Sequence, residues 1–131
     1  MQISGMPQKL NELDIESFLY FYRAFVFKVY DGDTITVKID LGFSVSQNET
    51  IIRLYGIDCP EIRGTERPEG LVARDFLRDQ ILDKWVYIET IRDSTGKYGR
   101  YLGKIWLKEN DSYILINDLL VEEGLATLYE K

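Results

Sequence analysis

The stretch YFYRAFVFKVYDGDTITVKID, residues 20–40, decides the fold. Its first half is dense in aromatic and β-branched side chains, which favour extended backbone, and it breaks at Asp31-Gly32, a turn pair. Beyond the break Ile35, Val37 and Ile39 alternate with polar residues, the period of a strand with one buried face. The pattern predicts a β-hairpin with Asp-Gly at its tip.

Downstream, residues 41–49 read as a polar loop with Gly42 and Asn48. TIIRLYGID, residues 50–58, resumes a strand that Pro60 ends, because proline has no N–H to give a ladder. Three successive antiparallel strands are expected. Pro68 suits the first turn of a helix in which Val72, Phe76, Leu77 and Ile81 recur at helical spacing. KWVYIETIR and RYLGKIWL read as two more strands joined by the polar loop DSTGKYG. Asn117 is placed to cap a short helix through Leu119, Leu120 and Val121, with Gly124 as its stop.

The order β-β-β-α-β-β-α is that of a five-stranded Greek-key barrel of the OB type, an α+β fold that is mainly β, with two or three helices. Other small α+β arrangements satisfy the same order. Residues 1–19 form an N-terminal extension to a domain at 20–131. Within the extension Asn11 could cap a helix carrying Leu13, Phe18 and Leu19, and Phe18–Tyr22 would serve a strand equally well.

At 131 residues the chain fits a single domain with a real core. It contains no histidine, which excludes Ser-His and Cys-His dyads and His-ligated metals. Its one cysteine, Cys59, excludes a disulfide framework and a zinc–cysteine cluster. Any chemistry must come from carboxylates, Arg, Lys, Tyr and a hard metal ion. The formal net charge of -6 argues against broad attraction to a polyanion, so a nucleic-acid partner needs a local basic site. The N-terminus lacks a basic segment followed by an apolar run, and no stretch reaches the roughly 18 apolar residues of a membrane span. The default expectation is a cytoplasmic monomer without a membrane partner, or a secreted one if a leader was removed.

Charge is concentrated where the strands end. YDGDT, residues 30–34, reads alone as a hairpin turn, yet Asp33 falls at a strand start where aspartate is disfavoured. In RLYGIDCPEIRG, residues 53–64, alternation puts Arg53 in a strand that is largely apolar on both faces. A partly buried guanidinium needs a partner, since breaking a buried pair costs about 3–5 kcal/mol. An internal ion pair to Asp58 or Glu61 would satisfy it, and so would a bound anion. Asp58 and Glu61 flank Cys59-Pro60, where the chain must turn, and two close carboxylates repel unless a cation lies beside them. Asp33, Asp58 and a backbone carbonyl would suit calcium or magnesium with room for water and phosphate. GKYGR, residues 96–100, reads as a hairpin loop or as a loop that brings Lys97 and Arg100 to a phosphate.

The set DGDT, R-L-x-x-I-D-C-P-E and K-Y-G-R, in this order and on this strand pattern, resembles the staphylococcal nuclease family over roughly residues 24–129. NDLLVEEGLA resembles that family's second helix. The resemblance implies a calcium-dependent nuclease that hydrolyses DNA and RNA to 3′-phosphate products. It implies that Asp33, Asp58 and the main-chain carbonyl of Cys59 ligate one calcium ion, with Asp31 near the metal and its waters. Glu61 would be the general base, Arg53 and Arg100 would bind the scissile phosphate, and Lys97 and Tyr98 would contact a terminal phosphate.

The chain departs from the family in several places. Cys59 stands where threonine is frequent, the third helix is expected to be absent or supplied by the extension, and Tyr129 is a candidate replacement for an aromatic wall of the nucleotide pocket. The acidic net charge implies that nucleic acid is held weakly outside the site. Two further readings are a non-catalytic OB-type module that binds nucleic acid or protein, and a plain calcium-binding or structural barrel.

Overall fold

The computed structural model describes residues 14–95 and 100–129, with backbone alone at 92–95. After a short 3-10 turn at Ile15–Phe18 come β1 (Phe21–Asp31), β2 (Thr34–Gly42), β3 (Val45–Leu54) and β4 (Ile57–Asp58). A second 3-10 turn at Gly64–Glu66 leads into α1 (Arg67–Ile81). Then follow β5 (Trp85–Thr95), β6 (Tyr101–Glu109), β7 (Ser112–Leu115), α2 (Ile116–Glu122) and β8 (Thr127–Leu128).

The main sheet runs β3-β2-β1-β5-β6-β7. A short parallel seam, Ile52 beside Tyr101, Arg53 beside Leu102 and Leu54 beside Gly103, joins β3 to β6. Five strands thereby close into a barrel of the OB type, and β7 hangs on β6 as a hairpin arm. Closure needs a strand that bends. β1 supplies it through register shifts at Val26/Lys28 and Val29/Asp31, so its first half pairs with β5 while the whole strand follows β2.

The alternation read from the sequence fills the interior. Ala24, Val26, Ile35, Val37, Ile52 and Leu54 from the first three strands meet Val86, Ile88 and Ile105 from β5 and β6, all inaccessible to solvent. α1 presses Ala73, Leu77 and Ile81 against this core, and α2 adds Ile116 and Leu120. The Arg78 guanidinium of α1 also donates to the Val29 carbonyl at 3.1 and 3.3 Å, tying α1 to β1 beside its irregularity.

Three local expectations change. The two-residue turn of the first hairpin is Gly32-Asp33, with Asp31 still paired to Thr34, so the tip lies one residue later than Asp31-Gly32. The reason is space: a Cβ on Gly32 would lie 2.8 Å from both the Ala73 Cβ and the Cys59 sulfur, so only glycine fits under α1. Second, residues 41–49 are no loop. β2 and β3 continue through them as a projecting ribbon, turned at Phe43-Ser44 with φ of 55° and 61°. Both faces of the ribbon are exposed, so no apolar alternation marks it.

Third, Asn117 is not a helix cap. Its side chain is buried, accepts from the Ile105 N–H at 2.9 Å, and donates to the Tyr55 and Gly103 carbonyls at 2.9 and 3.2 Å. It ties α2 to β6 and to the bend after β3. Asn117→Ala should therefore lower stability by about 1–3 kcal/mol, read as a lower denaturant midpoint with unchanged m-value. Of the proposed N-terminal helix, Asn11 and Leu13 lie outside the described residues; Phe18 closes the 3-10 turn and β1 starts only at Phe21.

Candidate active site

The hairpin turn, the end of β3 and the β4 segment converge beside the seam. Thr34 of β2 pairs with Arg53 of β3, and Arg53 is in turn paired with Leu102 of β6. Gly56, at φ 80°, reverses the chain between β3 and β4, and β4 is held by its pairing with β8. The two acidic segments are thus brought to the arginine by three separate backbone contacts.

Arg53 is the hub. Its side chain is 17% exposed; Nη1 donates to the Leu54 and Ile57 carbonyls at 3.2 and 3.0 Å, and Nη2 lies 3.2 Å from Asp58 Oδ1 and 3.5 Å from Asp33 Oδ2. The ring of Tyr129, carried just beyond β8, lies under the guanidinium with its centroid 5.6 Å away. Of the two ion-pair partners weighed from sequence, Asp58 is confirmed, and Asp33 joins it from a different hairpin. No pairing of Arg53 with Glu61 occurs among the described contacts.

Asp33 is buried and well held. The Cys59 N–H donates to its Oδ2 at 2.9 Å and the Thr34 hydroxyl to its Oδ1 at 3.2 Å. Asp31, also buried, accepts from the Asp33 N–H at 3.1 Å. Burial first, and then the charge of Asp31, push the Asp33 carboxyl up from 3.8 to about 6, against the opposing pull of the Cys59 N–H and Arg53. Two buried carboxylates therefore share too little positive charge. Burial, followed by the charges of Asp33, Asp31 and Asp58, pushes the Cys59 thiol up to about 12, so its sulfur stays neutral and packs beside Gly32 as part of the core.

Among the described residues no three acidic or thiol side chains form a ready cage for a metal. The donor set is instead two aspartates, one buried and one exposed, that both meet Arg53 Nη2, with the Cys59 backbone directly after Asp58 in sequence. Hard oxygen donors with water to complete the shell fit calcium or magnesium. The excess of buried negative charge at Asp31 and Asp33 is the local feature that a cation would relieve.

Glu61 is exposed, and its position is fixed through its backbone. Its N–H donates to Glu66 Oε1 at 3.0 Å, while Arg67 holds the next carbonyl, that of Ile62, at 2.8 Å. A Cβ on Gly70 would run into the Glu61 carbonyl and lie 2.9 Å from the Ile62 nitrogen, so α1 abuts this segment directly. Sequence reasoning missed Glu66 and Gly70. A glycine in the first turns of a helix costs about 1 kcal/mol against alanine, and that was the available signal. Arg100 immediately precedes β6, so the register sets its backbone next to the seam at Ile52. Lys97 and Tyr98 lie outside the described residues.

The chain matches the family model described as staphylococcal nuclease homologue over residues 51–131. It is 32% identical over 123 residues to the thermonuclease of Staphylococcus intermedius, covering 92% of this chain and 65% of that protein. It is also 30% identical over 112 residues to Protein ParB of Escherichia coli, covering 82% of this chain and 57% of ParB. With the probable endonuclease LCL3 of Vanderwaltozyma polyspora it shares 34% identity over 86 residues, covering 60% and 29% of the two chains. The chain thus spans less than two thirds of each of these relatives. An OB-type barrel, an arginine held between two aspartates at its seam, and a family match over residues 51–131 agree: the chain belongs to the staphylococcal nuclease homologue family.

Proposed function

We propose that the protein is a calcium-dependent nuclease that hydrolyses phosphodiester bonds of DNA or RNA and leaves 3′-phosphates. The observation that carries this reading is the half-buried Arg53 between Asp33 and Asp58, a cation and two hard anionic donors at one edge of the barrel. In the proposal Asp33, Asp58 and the Cys59 carbonyl hold one calcium ion, with Asp31 beside them. When bound, the ion supplies Lewis-acid stabilisation of charge on the phosphoryl oxygens. Arg53 and Arg100 bind the scissile phosphate and stabilise the charge that grows on its equatorial oxygens, the guanidinium fork matching phosphate geometry. Glu61 accepts a proton from the attacking water, its backbone steadied by Glu66 and Gly70. Lys97 and Tyr98 are assigned to a terminal phosphate.

Incubation with single-stranded DNA or RNA should give calcium-dependent cleavage that chelator abolishes. The 3′ ends of the products should resist enzymatic extension until a 3′-phosphatase is added. No cleavage at any calcium concentration would sink the enzyme reading.

One observation favours a second reading, a non-catalytic module that binds nucleic acid or protein. Arg53 already has four acceptors within the protein, as a purely structural arginine would. Binding to oligonucleotides without cleavage would support this alternative.

A further inference from the structure

The outward face of the barrel on the side of β5 and β7 has a composition that the candidate active site does not use. Ala24, Val26, Val86, Ile88, Ile105 and Leu107 point inward, so the residues between them point out. One row across the sheet reads Arg23, Tyr87, Trp106, Leu115, and the next reads Lys38, Phe25, Trp85. The Arg23 guanidinium lies over the Trp85 ring at 4.1 Å, and Phe25 meets Trp85 edge-on at 5.4 Å. Tyr87 meets Tyr113 edge-on at 5.8 Å, and the Lys108 amine lies 6.0 Å from the Tyr113 ring centre.

Much of this surface is open. Trp85 is 45% and Tyr113 54% exposed. Lys104, opposite Glu89, and Lys108, opposite Tyr113, join Arg23 and Lys38 on this face, against the carboxylates of Asp40 and Glu89. The excess is positive on a chain of net charge -6. The Trp106 indole nitrogen, in the middle of the face, is buried and has no hydrogen-bond partner among the described residues.

We propose that this face binds single-stranded nucleic acid, with bases stacked on Trp85 and Tyr113 and phosphates on Arg23, Lys38, Lys104 and Lys108. Ring faces interleaved with cations form a stacking platform that tolerates any base sequence. A protein partner is the weaker fit, because lysine is depleted at protein interfaces and three lie here. β6 connects the two regions: Leu102 stands beside Arg53 at the seam, and Trp106 lies about 13 Å further along the same strand at 3.3 Å per residue. A strand leaving the candidate active site along β6 would cross the face. The inference rests on nucleic acid being the ligand of this protein, and it concerns strand binding, not cleavage.

Anisotropy of a labelled oligonucleotide of about 16 nucleotides, in chelator so that no cleavage occurs, tests it. Trp85→Ala combined with Tyr113→Ala should weaken binding about tenfold or more, since each lost stack alone is worth that order. Arg23→Gln combined with Lys108→Gln should reduce the log–log salt slope by about 1.4. Equal affinity and slope in the parent and both double variants, at matched thermal stability, would overturn the proposal. So would a change from dimer to monomer in the variants with unaltered oligonucleotide affinity, which would assign the face to a second copy of the chain. Calcium-dependent cleavage measured on the same samples separates the two readings. A parent that binds through the face and never cleaves keeps the face and removes the nuclease; a parent that cleaves while the face variants bind normally does the reverse.

Discussion

Arg53→Lys is expected to lower the rate of phosphodiester hydrolysis by about 100- to 1,000-fold, the usual cost of removing one donor aimed at developing transition-state charge. Lysine keeps the charge and loses the geometry. The guanidinium serves the Leu54 and Ile57 carbonyls through one nitrogen and the Asp58 and Asp33 carboxylates through the other. An ammonium on a flexible stem cannot satisfy four acceptors set around a plane. The loss should fall on kcat more than on KM, because the proposed contact strengthens as charge builds on the phosphate. A thermal melt run beside the kinetics separates catalysis from folding, since Arg53 also ties β3 to β4. Parental kcat in the lysine variant would remove Arg53 from the mechanism and leave it a structural ion pair.

Asp33→Asn should move activity and stability in opposite directions. In the calcium-free protein the Asp33 carboxyl titrates near 6 in place of 3.8, because it is buried beside Asp31. A carboxyl raised on folding binds its proton more tightly in the native state, so acid favours the native state. Its contribution is fully present below 3.8 and is lost as pH rises through about 6. At pH 7 the ionised group therefore destabilises the calcium-free fold by at most about 3 kcal/mol. An amide keeps the acceptor for the Cys59 N–H and can donate to Asp31, removing the repulsion.

In chelator, the Asp33→Asn variant should be more stable than the parent at pH 7, and the difference should shrink between pH 6 and pH 4. With calcium the parent alone should gain stability, and cleavage by the variant should fall at least about 100-fold if a ligand of the metal has been lost. A variant less stable than the parent at pH 7 in chelator would show that the hydrogen bonds of Asp33 outweigh its buried charge.

Much of the fold was legible because its core strands alternate strictly. Ile35, Val37 and Ile39 sit inside as their spacing required. The ribbon at 41–49 was not, because a strand pair exposed on both faces has no apolar period and resembles a loop in composition. Asn117 was misread for a related reason: a buried asparagine that ties a helix to β6 and to the bend after β3 looks, in one dimension, like an N-cap. Within the candidate site, Arg53, Asp33 and Asp58 were legible because charges at strand ends demand partners. Tyr129 under Arg53 depends on the β4–β8 pairing, a contact between residues about 70 apart that no local pattern encodes. The role of Gly70 depends on where α1 packs.

The parallel seam has a consequence for motion. Among the described residues three pairs close the barrel, whereas the β1–β2 hairpin is paired along nearly its whole length. Arg53 lies in the middle of the seam and Arg100 at its lip, so the proposed phosphate clamp is split across the joint of the sheet with the fewest pairs among the described residues. Local opening of that joint would part the two arginines while Asp31 and Asp33 stay on their hairpin. The acidic half of the site would then outlast the basic half through such a fluctuation, and a phosphate bound by both arginines would act as a clasp that holds the barrel shut.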